Sequence, residues 1–176
     1  MDTNVETATL QQDAVDGIVK DWMRILPGTD VSSLQIMSRM LRVIRSFERR
    51  REDLLIQYGL EPWSFDMLAA LRRNPGGVSS PGELIAATLV TSGTMTTRLK
   101  SLERRGLIVR RKGETDGRNV VVTLTAAGRE SVDDAFEDVL QVQRDVVASL
   151  NDHEQAALEG VLRTILSAQE PPTITN

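Results

Sequence analysis

The stretch that decides the fold is SSPGELIAATLVTSGTMTTRLKSLERRGLIVRRK, residues 79–112. Ser80 is a natural N-cap, Pro81 suits a first helical position that needs no N–H, and Glu83 follows the cap by three residues, completing a capping box. The helix so opened is short and runs out near Val90, where Thr91, Ser92 and Gly93 predict a turn. A second helix then extends to its stop signal, Gly106, with Met95, Leu99 and Leu102 at helical spacing along one face. Two short helices joined by a tight turn predict a helix-turn-helix. Arg98 falls within the apolar stripe, three residues after Met95 and four before Leu102. A guanidinium buried there alone costs several kcal/mol, so it must reach water, meet an acid from elsewhere in the chain, or receive something bound.

Beyond Gly106 β-branched residues take over. LIVRRK, a polar tip GETDGR and then NVVVTLT, in which Val120, Val122 and Leu124 alternate with Val121 and Thr123, predict a β-hairpin with a long charged tip. A helix-turn-helix followed at once by a hairpin is the order of a winged helix. Upstream, residues 12–26 read as an amphipathic helix with Val15, Ile18, Val19 and Trp22 on one face, closed by Pro27 and Gly28. Residues 31–57 read as a second, with Leu34, Met37, Leu41, Ile44, Phe47 and Leu55 inward, and Pro62 opens a third that ends before NPGG at 74–77. Downstream, two more helices carry broad apolar faces: Phe136, Val139, Val146 and Leu150 on one, Leu158, Val161, Ile165 and Leu166 on the other. A single winged helix leaves these faces little to cover, so some of that area predicts a partner chain.

At 176 residues the chain fits one domain, and with aromatics at 3% and helix formers dominant the composition favours a mainly helical fold. The absence of cysteine removes disulfides, thiolate nucleophiles, Cys-ligated metals and thiol redox switches. MDTNVETATL is too acidic for a secretory signal, and no apolar run approaches the roughly eighteen residues of a membrane helix, so the expected location is the cytoplasm with no membrane partner. The net charge of -4 hides a regional pattern. Residues 31–125 hold sixteen basic against nine acidic side chains, while 1–30 net -4 and 126–176 net -7. A basic middle on an acidic scaffold is the footprint of a nucleic-acid surface. With one His and no G-x-S-x-G, G-x-x-x-x-G-K or HExxH motif, the sequence offers no catalytic residue, no metal site and no cofactor site.

The segment LKSLERRGLIVRRKGETDGRNVVVTLTAAG resembles the MarR family of bacterial transcription regulators, whose wing pattern is matched by Asp116, Arg118, Val122, Leu124 and Thr125. The likeness spans roughly residues 31–168 and implies a homodimer with interlocked terminal helices on double-stranded DNA. With Met95, Leu99 and Leu102 turned inward, Ser92, Thr94, Thr96, Thr97 and Lys100 are left to meet the major groove. Arg104, Arg105, Arg110, Arg111 and Lys112 suit phosphates, which set affinity more than sequence preference. The resemblance assigns Arg118 to the minor groove, and Asp116, two residues away, can orient its guanidinium. A two-fold dimer would set its reading helices one DNA turn apart, about 34 Å, on a pseudo-palindromic operator.

A urate-responsive, PecS-like subgroup of that family carries an extra N-terminal helix with a Trp, an Asp on the helix before the helix-turn-helix, and an Arg in the recognition helix. Trp22, Asp66 and Arg98 coincide with all three. Asp66 poses the same puzzle as Arg98, standing between Trp63 and Ala70 at positions expected to face inward, so each could answer the other. The expected site is a pocket where Trp22 stacks on a small planar anion and Arg98 receives its charge. The alternative is a structural Asp66–Arg98 salt bridge with Trp22 as ordinary core. Some urate sensors add a pocket His, but His153 lies in the last helix and Tyr58 stands where a pocket His would come from, which leaves an aromatic carboxylate as open as urate.

The sequence therefore predicts a mainly α winged helix-turn-helix with a β-hairpin wing and dimerisation helices at both ends. Residues 1–30 form an N-terminal extension, 31–58 and 126–170 a dimerisation region, and 59–125 the DNA-binding domain. The predicted function is a homodimeric, ligand-released DNA-binding repressor. The rivals are a winged-helix protein adaptor that binds no DNA, or a regulator with no small-molecule pocket.

Overall fold

The computed structural model describes residues 12–112 and 120–169. Seven helices and three short strands follow in the order α1 (Ala14–Ile25), α2 (Ser33–Gln57), α3 (Pro62–Arg73), β1 (Val78–Ser79), α4 (Pro81–Thr88), α5 (Ser92–Arg104), β2 (Ile108–Lys112), β3 (Val120–Leu124), α6 (Ala126–Val147) and α7 (Asp152–Gln169). This is the mainly α winged helix-turn-helix that the sequence predicts. The chain divides into two compact units, 1–48 and 49–176, and the division falls within α2.

In the first unit, Asp13 caps α1 by accepting from the Val15 N–H at 2.7 Å, while the Asp16 carboxylate accepts from the Asp13 N–H at 2.7 Å. Both acids also receive the guanidinium of Arg39 on α2, at 2.8 and 2.7 Å. Val15 and Val19 are buried, but Trp22, Met23, Ile25 and Leu26 farther along are not. The apolar stripe of α2 also departs from expectation: Met37, Leu41 and Ile44 are each about half exposed, and only Leu55 is fully buried.

The core lies in the second unit, where Leu55, Met67, Leu68, Leu71, Leu84, Met95, Leu102, Ile108, Val122 and Val132 are essentially inaccessible to water. Ser80 and Glu83 form the expected capping box on α4. That helix ends on Leu89, in the left-handed region at φ 52°, ψ 37°, so the turn is Leu89–Val90, and Thr91 caps α5 rather than lying within a turn. The sheet order is β1-β3-β2, all antiparallel; Ile108 pairs with Leu124 and Lys112 with Val120. β1 was not anticipated and pairs Val78 with Thr123 and Ser79 with Val122, extending the hairpin to three strands. Thr125 joins the wing to α6: its hydroxyl reaches the Gly106 and Leu107 carbonyls at 2.8 and 3.0 Å and accepts from the Gly128 N–H at 3.0 Å. A methyl group on Gly128 would lie 2.1 Å from the Leu107 carbonyl oxygen, so only glycine lets α6 approach this closely. Three donors also hold α6: Arg72 on α3 reaches Asp133 at 2.8 Å, Tyr58 reaches Asp138, and Arg50 reaches Asp145 at 2.6 Å. On α7 no residue is buried.

Candidate nucleic-acid interface

The chemistry of the reading helix α5 follows from which of its groups are already occupied. Met95, Leu99 and Leu102 anchor it in the core. Ser92, Thr94, Thr96, Thr97 and Lys100 are all exposed, as a major-groove surface requires. Thr96 and Thr97 have spent their donors, while Thr94 accepts. Thr91 donates to the Thr94 hydroxyl at 3.0 Å, Thr96 to the Ser92 carbonyl at 3.1 Å and Thr97 to the Gly93 carbonyl at 3.3 Å. What Thr96 and Thr97 present outward is therefore a methyl group and oxygen lone pairs, a surface suited to thymine methyls and to amino groups of adenine or cytosine.

The cations divide in the same way. Arg105 is spoken for by Glu61 at 2.8 Å and the Gly59 carbonyl at 2.6 Å. Arg110 is held by Glu103, which also accepts from the Arg110 backbone N–H at 3.3 Å, and the guanidinium keeps the Glu103 carboxyl below its ordinary 4.5. Arg105 and Arg110, expected to suit phosphates, are thus already paired with acids of the chain itself. Lys100, Arg104, Arg111 and Lys112 form no ion pair among the described residues and remain available to an anion. Asp116 and Arg118, expected at the wing tip, lie outside the described residues.

Arg98 and Asp66 do not answer each other. Asp66 sits on the exposed side of α3, opposite the core face of Phe65, Met67, Leu68 and Leu71, and its carboxylate takes the guanidinium of Arg51. Arg51 in turn lies over the Phe65 ring, 5.5 Å from its centre. Arg98 is half-buried at the edge of the α5 stripe and stacks on Trp63 at 5.3 Å. The three possibilities open to this arginine thus resolve into a fourth, an aromatic face that no sequence spacing announces. Trp63, Thr94, Thr97, Arg98, Ser101 and Arg104 line an open cavity of about 640 Å³. Trp22 belongs to the first unit, where it is 44% exposed and not ordinary core. Among the described residues no three His, Cys, Asp or Glu side chains are grouped to hold a metal, and no helix is long and apolar enough to cross a membrane.

A family model described as MarR family matches residues 58–119, from just after α2 to just before β3. The transcriptional regulator PecS of Dickeya dadantii is 29% identical over 149 residues, 84% of this chain and 90% of its own. The transcriptional repressor NicR of Pseudomonas putida is 28% identical, over 80% of this chain and 90% of its own. Among solved structures, BpsR of Bordetella bronchiseptica, whose DNA binding is regulated by 6-hydroxynicotinic acid, superposes with a TM-score of 0.71 at 25% identity, covering 80% of this chain and 99% of that one.

Proposed function

Because this chain belongs to the MarR family, as a DNA-binding winged-helix transcription regulator and not an enzyme, we propose that it is a homodimeric repressor of the PecS-like kind that grips a pseudo-palindromic operator and is released by a small planar anion. The observation that carries the effector part is Arg98, a cation of the reading helix stacked on an aromatic ring, with no ion pair among the described residues, and opening onto a cavity. A planar carboxylate or urate-like anion would give its charge to Arg98 and its ring to an indole. An anion gripping the reading helix shifts the geometry in which it meets DNA, and by linkage weakens operator affinity by the same coupling energy that DNA takes from the anion.

The dimer reading is supported by the large apolar side chains exposed on α2, α6 and α7, among them Met37, Leu41, Ile44, Phe136 and Leu166. A second copy would cover them and space two α5 helices for successive major grooves. At the wing, Asp116 would hold Arg118 for the minor groove. Acting on DNA, the protein would work in the cytoplasm.

The test is fluorescence anisotropy of the protein on its own upstream DNA at fixed salt, with urate or 6-hydroxynicotinate added. Tight binding that either anion weakens is the expected result, and Arg98→Ala should blunt that response about tenfold while leaving anion-free affinity within about threefold. If Arg98→Ala loses DNA binding instead while the fold persists, Arg98 is a DNA contact and the effector reading fails.

A further inference from the structure

Leu89 combines two features found together at no other described residue. It is the one non-glycine residue at positive φ, and at 86% exposure it is the most exposed large apolar side chain, well beyond Ile56 at 65%. Each feature is unfavourable in the free protein. The left-handed backbone disfavours any residue with a β-carbon, and full exposure gives the isobutyl group nothing to pack on. Glycine would serve the turn better on both counts. A residue that strains the backbone and gains no burial in the free fold, at the turn that aims a DNA-reading helix, points to a function exercised in the complex.

Position says which function. Leu89 stands two residues before Thr91, the N-cap of α5, within about 7 Å of it along the chain. In a helix-turn-helix the N-terminal end of the second helix is the part that meets base edges. In the helix that follows, Thr96 and Thr97 donate their hydroxyl hydrogens to backbone carbonyls and so present methyls and lone pairs outward. An apolar finger beside such a surface matches the apolar feature of the major groove, the 5-methyl group of thymine. We propose that Leu89 is a specificity residue that packs against a thymine methyl at the edge of each half-site and is sequestered from water only when DNA is bound.

The experiment uses the full-length protein. A randomised duplex pool is selected with the wild type, and in the winning duplex each thymine is replaced singly by uracil, which removes only the methyl. Binding of wild type, Leu89→Ala and Leu89→Gly is then measured across a salt series. The expected result is a thymine whose replacement weakens the wild type about fourfold, the loss of one buried methyl, and leaves both variants unaffected. Leu89→Gly should also melt a few degrees higher, since glycine relieves the backbone, with an unchanged salt slope because no phosphate contact is lost. If every uracil substitution affects wild type and variants equally, the proposal is overturned. A Leu89→Gly variant that loses affinity with a shallower salt slope would overturn it as well, making the turn a backbone-positioning element.

Discussion

A charge does DNA-binding work only if the fold leaves it free, and in this wing-proximal region neighbouring arginines differ in that respect. Arg110 and Arg111 are adjacent in β2, yet Glu103 claims the first and no described residue pairs with the second. Replacing Arg111 by Ala should lower the slope of log affinity against log salt by about one unit, while Arg110→Ala should leave the slope unchanged and let the Glu103 carboxyl rise toward its ordinary 4.5. A salt titration separates the two, with carbon NMR reading Glu103. None of this division was legible in the sequence, because Glu103 and Arg110 belong to different elements and meet only after α5 and β2 fold back on each other. The same holds for Arg98 and Trp63. Periodicity showed that Arg98 had a problem to solve, but helical spacing records neighbours on one helix and not the ring that α3 brings across.

At the scale of elements, legibility followed how local the determinants are. The helices were readable because caps and stop signals act within four residues, as Ser80 with Glu83 and Asp13 with Asp16 show. β1 has only Val78 and Ser79, too short for any alternation, and exists because β3 offers a free edge. The turn before α5 is hidden for a related reason: a leucine carries no turn signal, so the sequence points to Thr91, Ser92 and Gly93 while the chain turns at Leu89 and Val90. The junction of wing and α6 is the least tolerant of these elements. Gly128→Ala should cost at least about 2 kcal/mol, since the methyl meets backbone rather than a flexible side chain, and a urea unfolding curve measures it.

For the whole molecule, apolar surface is left uncovered on the helices expected to dimerise, and most of the core is the DNA-binding part. The proposed dimer makes a direct prediction. Ile44→Asp, at a position 50% exposed in the single chain, should yield a monomer by sedimentation equilibrium and weaken binding to a two-half-site operator by about a hundredfold or more, while binding to one half-site changes little. Sequence patterning located those faces, but it could not tell an inward stripe from one awaiting a second copy, since both have the same period. The central place of β3 in the sheet has a mechanical consequence. Bonded to β1 on one edge and β2 on the other, and clamped through Thr125 to the start of α6, the wing has no hinge of its own at its base. A tilt of α6 would therefore be transmitted to the wing as through a crank, so that an effector or partner able to rock that helix would swing the wing without touching it.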